Sequence, residues 1–366
     1  MLTGGGCVPT ETWTVRRVLD WTVGYLERKG DERPRLSAEW LLCAVTGLSR
    51  VEVYMNFDRP LSAEELASMH DAVARRGRGE PLQYVTGEMP FRHMVIRCEK
   101  GVLIPRPETE VLVDAALEGV DAALAAGVAH DDVRRRSAER LGSRRAERGA
   151  RVAELRAALV PNEDGLLDER AVDEYLREVA ALEAEAEEVP LGVRVLDLCT
   201  GTGCIALSMA GERPGTAVVA TDLSPQAVRL AKCNRDALGL ADAVDVYECD
   251  LAAAVPDELM GTFSVLVSNP PYIPTAVLER DVPPEVRDHE PRLALDGGQD
   301  GLDLFRRILG LAPRALAPAG WLCVELSEDN VEQAADLCRA QGGWAHVEVR
   351  QDLTHRPRVL VAVREE

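Results

Sequence analysis

The stretch Val193-Arg194-Val195-Leu196-Asp197-Leu198-Cys199-Thr200-Gly201-Thr202-Gly203 decides the fold. Its apolar first half reads as a strand. The small residues after it let the backbone pass close beneath a ligand, and the helix that opens at Cys204 offers free N–H groups at its start. Downstream, strands at 217–221, 244–248, 263–268 and 321–326 alternate with helices. Ser224 caps one helix, with Pro225 at its first position, and others run over 302–316 and 331–340. Strand and helix in alternation describe a doubly wound α/β sheet. Two closing strands, near 346–349 and 359–363, suggest an antiparallel edge.

Upstream of the sheet the pattern changes. Residues 12–79 read as a small helical domain: Val15, Val18, Leu19, Thr22 and Leu26 recur at helical spacing, and Ser37 is placed to cap a helix ending near Gly47. Ser62 with Glu65 forms a capping box before Leu66, Met69 and Val73. Such a unit suits docking of a partner. Gly and Pro punctuate short apolar runs over 80–107, as in a hairpin connector, and the α/β domain follows over 108–366. Within it, about 118–190 is rich in Ala, Arg and Glu. It reads as an insertion, helical around Val172, Leu176, Val179 and Leu182, and mobile in its charged half, 134–151.

Composition narrows the function. The chain has 366 residues, room for about two domains. A formal charge of -20 argues against direct nucleic-acid binding, because phosphates repel such a surface. The nine cysteines are scattered with no Cys-x-x-Cys pair, so neither a disulfide framework nor a metal site is expected. No signal peptide and no apolar run of membrane length are apparent. A cytoplasmic monomer is the expectation.

Chemistry gathers at the strand ends. Asp197 precedes the glycines, where a carboxylate attracts an ammonium and repels a pyrophosphate. Asp222 ends the second strand and is placed to accept both ribose hydroxyls. Asp250 follows the third and suits an adenine amino group. Gly201, Gly203 and Ala206 also fit a dinucleotide fingerprint, which keeps a nicotinamide dehydrogenase open. An amino acid joined to a nucleoside without phosphates fits the acidic rim better, and S-adenosylmethionine is that ligand. The fourth strand ends in Asn269-Pro270-Pro271-Tyr272. A proline pair cannot continue a central strand, so the chain leaves the sheet at Asn269, on the rim where ligands of open α/β sheets sit. The Asn269 carboxamide oxygen and the Pro270 carbonyl make two acceptors for a planar NH2 group, and Tyr272 can cover its face. Amide and adenine amino methylation both need this grip, and a cofactor-binding module without turnover would look the same.

These residues together resemble the seven-stranded, Rossmann-like methyltransferases, specifically the release-factor glutamine methyltransferases of the HemK/PrmC family. The resemblance rests on Glu80-Pro81-Leu82-Gln83-Tyr84-Val85-Thr86-Gly87, on Leu103-Ile104-Pro105-Arg106-Pro107-Glu108-Thr109-Glu110, and on the glycine loop and Asp222. Asn269-Pro270-Pro271-Tyr272, Glu290-Pro291 and Asp296-Gly297-Gly298-Gln299-Asp300-Gly301-Leu302 follow in the family's order. It implies that Cys199, Thr200, Gly201, Thr202, Gly203, Asp222 and Leu251 contact S-adenosylmethionine, with Asn269 between the two ligands. It further implies that Asn269, Pro270, Pro271 and Tyr272 hold the glutamine of the Gly-Gly-Gln loop of class 1 release factors. Cys199 stands where many members have Gly.

Overall fold

The structure is a computed structural model describing residues 12–161, 167–187 and 192–366. Its chain divides into two compact units. The first takes in the chain up to Met89 with Arg97–Ile104 and Asp281–Pro291, and the second takes in the remainder.

In the first unit, helices α1 (Val15–Arg28), α2 (Pro34–Thr46), α3 (Arg50–Met55), α4 (Ala63–Arg76) and α5 (Leu82–Thr86) enclose a core of Val15, Leu19, Leu26, Leu41, Leu42 and Val53. Capping sets their limits. Ser49 and Ser62 each accept from the backbone three residues on while Glu52 and Glu65 reach back, and Gly47 closes α2 in the left-handed region. Ser37 is no cap, contrary to the sequence expectation: α2 begins a turn earlier, because Pro34 at its first position is pre-set for helix. Ser37 is instead buried inside the helix, its hydroxyl donating to Asp31 at 2.8 Å. The expected hairpin is present as β1 (Glu88–Phe91) and β2 (Met94–Arg97), with Pro90–Ile96 of it counted in the second unit.

The second unit is built on a seven-stranded sheet. Helix α6 (Thr109–Ala125) is followed by α7 (Asp131–Ala158) and α8 (Glu169–Glu187), then by β3 (Arg194–Leu198), α9 (Cys204–Glu212), β4 (Ala217–Asp222), α10 (Pro225–Ala237), β5 (Val244–Glu248) and β6 (Phe263–Ser268). After α11 (Thr275–Arg280), and α12 (Pro284–His289) of the first unit, come α13 (Asp303–Ala315), β7 (Leu316–Glu325), α14 (Val331–Gln341), β8 (Trp344–Gln351) and β9 (Pro357–Arg364). The strand order is β5-β4-β3-β6-β7-β9-β8; the first five strands run parallel and the β9–β8 pair is antiparallel, as its sequence suggested. Both faces are covered. Leu112, Val120, Ile205, Leu207 and Met209 pack against one, and Phe305, Ile308, Ala312 and Ala335 against the other.

The excursion before the first sheet strand differs from its expected form. Residues 118–125 belong to α6, whose buried Gly119 lies so close to Val265 and Trp321 that a Cβ would meet them at 2.9 and 3.0 Å, so the helix that packs on the sheet runs through the start of the expected insertion. The charged run 134–151, expected to be mobile, is one continuous helix in α7. Ala, Arg and Glu are strong helix formers, and Arg148–Glu178 and Arg151–Glu174, each at 2.7 Å, set α8 antiparallel beside it. Residues 162–166 and 188–191 of the expected insertion lie outside the described residues.

Candidate active site

Because β3 to β7 are parallel, their carboxyl ends form one rim, and register says what meets there. Leu198 pairs with Thr221 on one side and Ser268 on the other, Asp222 pairs with Glu248, and Ser268 with Val324. The glycine loop, Asp222, Asn269 and Glu325 therefore stand at successive strand ends, with Asp250 and Leu251 just past β5. The order reverses beside β3, the first sheet strand in the chain, which is where open α/β sheets bind ligands.

The glycine loop is anchored from below. Thr200 N–H donates to the Thr221 carbonyl at 2.9 Å, and buried Asn234 donates from Nδ2 to the Thr202 carbonyl at 2.9 Å. Asp197 departs from its expected place on the rim. It is fully buried under the loop and accepts from the Thr200 hydroxyl at 2.6 Å. Burial, with the Asp222 charge in addition, pushes its carboxyl up to about 7. Thr200, Thr202 and Gly203 are likewise buried, which leaves Cys199, Gly201, Asp222, Asp250, Leu251 and Asn269 accessible. The Asp222 carboxylate is oriented by two backbone donors, Gly201 N–H at 2.9 Å and Ser224 N–H at 2.8 Å. Burial still raises its pKa. Each oxygen keeps lone-pair capacity for a hydroxyl. Asp250 is about half exposed and pairs with Arg307 at 2.7 Å.

Two non-glycine residues here have positive φ, Cys199 at 61° and Leu251 at 49°. Backbone strain of this kind gathers at ligand sites. Around Gly201 a Cβ would meet nothing within 4 Å, so space lies open above the loop. The acceptors on Asp222, the open loop and the apolar Leu251 fit an amino acid joined to a nucleoside.

The Asn269-Pro270-Pro271-Tyr272 segment is clamped on several sides. Asn269 donates from Nδ2 to the Thr109 hydroxyl at 3.1 Å, which leaves its carboxamide oxygen uncommitted to that bond. Asn330 donates to the Tyr272 carbonyl at 3.1 Å, and the Tyr272 hydroxyl donates to Glu325 at 3.3 Å. Burial and the Glu325 charge push the Tyr272 phenol well above its usual range. Below lies the glycine-rich segment 296–302, which is a loop before α13 as its sequence suggested. Two backbone bonds tie it to the grip: Ile273 N–H donates to the Leu295 carbonyl at 3.0 Å, and Gly297 N–H donates to the Ile273 carbonyl at 2.8 Å. A Cβ on Gly297 would lie 2.8 Å from the Pro271 carbonyl oxygen and 2.8 Å from the Tyr272 Cα. The supports Thr109, Glu325, Asn330 and Asn234 did not emerge from sequence reasoning. Only Thr109 carried a signal, inside the Pro-Arg-Pro-Glu-Thr-Glu segment.

Residues 17–87 match a model described as the PrmC N-terminal domain, and residues 179–286 one described as the methyltransferase small domain. A release factor glutamine methyltransferase from Geobacter sulfurreducens is 39% identical over 332 residues, covering 91% of this chain and 90% of that one. The chain belongs to the release factor glutamine methyltransferase family. Enzymes of the same name from Rhodopirellula baltica and Chlorobaculum tepidum are each 32% identical, covering 95% and 96% of this chain and 95% and 97% of theirs. Among solved structures, the hMettl16 catalytic domain in complex with a MAT2A 3'UTR hairpin has a TM-score of 0.40 at 15% identity, over 60% of this chain and 90% of that one. That distance adds nothing to the family assignment.

Proposed function

We propose that this enzyme transfers a methyl group from S-adenosylmethionine to the side-chain amide nitrogen of the glutamine in the Gly-Gly-Gln motif of class 1 release factors. The observation that carries the reading is the orientation of Asn269. With one N–H of its NH2 group donated to Thr109, its oxygen is free to serve as an acceptor at the end of β6, together with the Pro270 carbonyl. A glutamine amide is a poor nucleophile because its lone pair is delocalised into its carbonyl. Two acceptors, Asn269 Oδ1 and the Pro270 carbonyl, hold both N–H bonds, turn the nitrogen's π-face toward the methyl group and favour the partly positive nitrogen of the transition state. Pro271 fixes the backbone between the Pro270 carbonyl and Tyr272, whose ring packs over the amide and excludes water.

S-adenosylmethionine, when bound, supplies the electrophilic methyl group. Asp222 accepts from the ribose hydroxyls, Leu251 and Cys199 line the adenosine and methionine portions, and Gly201 leaves room for close approach. Asp250 faces the adenine side. Thr200, Thr202 and Gly203 shape the loop, and Asp197 acts from beneath it through Thr200. Most of the acceleration comes from positioning, and the amide proton leaves to water after transfer.

The helical unit over 12–79 serves to dock the release factor, residues 80–107 connect it, and 108–366 carry the chemistry. A formal charge of -20 supports a protein partner over a nucleic acid. Among the described residues no helix is long and apolar enough to cross a membrane. A cytoplasmic monomer completes the reading. Asn269→Ala removes one oriented acceptor, worth about 2.7–4 kcal/mol by analogy with lost oxyanion-hole donors. Single-turnover methylation is expected to slow by about two to three orders of magnitude; a rate within threefold of wild type refutes the assignment.

A further inference from the structure

Asn330 stands at the N-cap of α14, where asparagine is favoured because its side-chain oxygen accepts from the first turn of the helix. It makes no such bond here. Asn330 is 4% exposed, and both ends of its carboxamide are committed elsewhere. Oδ1 accepts from Ser327 N–H at 3.0 Å, and Nδ2 donates to the Tyr272 carbonyl at 3.1 Å. A favoured cap thus leaves its own helix uncapped and holds the backbone of the candidate substrate grip. Local rules broken in this way gather at functional sites.

The partners fix the direction of both bonds. A backbone N–H only donates and a backbone carbonyl only accepts, so one orientation of the carboxamide satisfies both. The turn that carries it is braced, because Asn330 N–H donates back to the Ser327 carbonyl at 3.1 Å. Gly301, with φ at 80°, lies against the same bond: a Cβ there would overlap the Tyr272 carbonyl oxygen and sit 2.6 Å from Asn330 Nδ2. At its far end the Tyr272 phenol donates to Glu325, the last residue of β7, at 3.3 Å. The short turn from β7 into α14 therefore holds Tyr272 twice, by its carbonyl and by its hydroxyl.

We infer that Asn330 is a positioning residue for methyl transfer: by holding the Tyr272 carbonyl it fixes the peptide that carries the ring over the substrate amide. The inference rests on the reading that Asn269 to Tyr272 hold the glutamine. Asn330 itself touches neither substrate nor cofactor. Without its donor the Tyr272 carbonyl loses that partner, the planar peptide turns toward another, and the ring moves with it. The loss falls on the geometry of the reacting centre. It lowers the rate reached at saturating release factor and leaves the half-saturating concentration in place, since docking uses other surfaces.

The test compares wild type with Asn330→Asp, Asn330→Ser and Asn269→Ala in single-turnover methylation over a range of concentrations of an unmethylated release factor. S-adenosylhomocysteine affinity and the urea midpoint are measured alongside. Asn330→Asp keeps an acceptor for Ser327 N–H and turns a second acceptor toward the Tyr272 carbonyl. Asn330→Ser ends one bond short of Nδ2 and supplies an ordinary cap to α14, so the helix is kept while the hold on Tyr272 is lost. We expect both to slow the maximal rate about 10- to 100-fold, by the cost of a misplaced reacting group. The half-saturating concentration and S-adenosylhomocysteine affinity stay within threefold of wild type, and the Asn330→Ser midpoint does not fall. A maximal rate within threefold of wild type from either folded variant, or a loss explained by weaker binding of release factor or S-adenosylhomocysteine, overturns the inference while Asn269→Ala remains impaired. Should Asn330→Asp fail to fold, Asn330→Ser decides alone; an Asn330→Ser protein that is unfolded or has a lowered midpoint marks a merely structural residue and overturns it too. No methylation by wild type, or an unimpaired Asn269→Ala, defeats the underlying reading and the inference with it.

Discussion

Gly297→Ala isolates the support of the substrate grip from the grip itself. Gly297 has no positive φ, so alanine brings no intrinsic backbone strain, only volume. That volume has nowhere to go. The added Cβ would sit 2.8 Å from three neighbours: the carbonyl oxygens of Pro271 and Gly301, and the Tyr272 Cα. Ordinary contacts of this kind begin about 0.5 Å or more farther out, and all three neighbours are backbone, which cannot rotate away. The Pro271–Tyr272 peptide must shift by about that amount, carrying the ring and the neighbouring Pro270 carbonyl. Overpacking of this sort destabilises by about 1–3 kcal/mol. A displacement approaching 1 Å at a reacting centre slows chemistry by up to about 100-fold. Quenched-flow methylation at saturating cofactor should therefore show a 10- to 100-fold slower step, with S-adenosylhomocysteine affinity changed less than threefold because Asp222 and the glycine loop are untouched. A folded Gly297→Ala protein transferring methyl groups at the wild-type rate would refute the claim that this loop positions the grip.

Three other outcomes follow from named residues. Asp197 titrates at 3.8 when solvated and at about 7 in the fold, so the folded state holds its proton more tightly and stability falls as pH rises between those values; relative to Asp197→Asn, wild type should lose up to about 4 kcal/mol in urea titrations from pH 4 to 8, and parallel curves contradict this. Cys199→Gly relieves a left-handed residue with φ at 61° and should stabilise by about 1 kcal/mol with methylation unchanged, read by denaturant midpoint and turnover. Arg148→Ala breaks a half-exposed pair with Glu178 between α7 and α8, and should cost under about 1 kcal/mol and leave turnover unaltered, as befits a helical excursion outside the chemistry.

How much of this was legible in sequence depended on the range of the interaction. The parallel strands were, because apolar runs give way to residues that leave the sheet: the glycine loop after β3, the Ser224-Pro225 helix start after β4, the proline pair after β6. Local capping was mostly legible too, and failed at Ser37, where Pro34 sets the helix start and a serine inside α2 finds Asp31 instead. The charged run in α7 looked mobile because its partners on α8 lie 30 and 23 residues farther along the chain, beyond the reach of any local pattern. Asp197 was read as a rim carboxylate, since sequence gives its place on β3 but not the loop folded over it. Thr109 and Glu325 escaped for the same reason. They reach Asn269 and Tyr272 only through the sheet register and the docking of α6, which are properties of the assembled fold.

The central claim is a reaction on one nitrogen atom. Mass spectrometry of an unmethylated class 1 release factor, incubated with this enzyme and S-adenosylmethionine, tests it most directly. The account predicts a gain of one methyl group on the glutamine of the Gly-Gly-Gln motif, acquired about 100- to 1000-fold more slowly when Asn269→Ala replaces the wild type. A methyl group on any other residue, or an unmodified release factor alongside demonstrated cofactor binding, would contradict it.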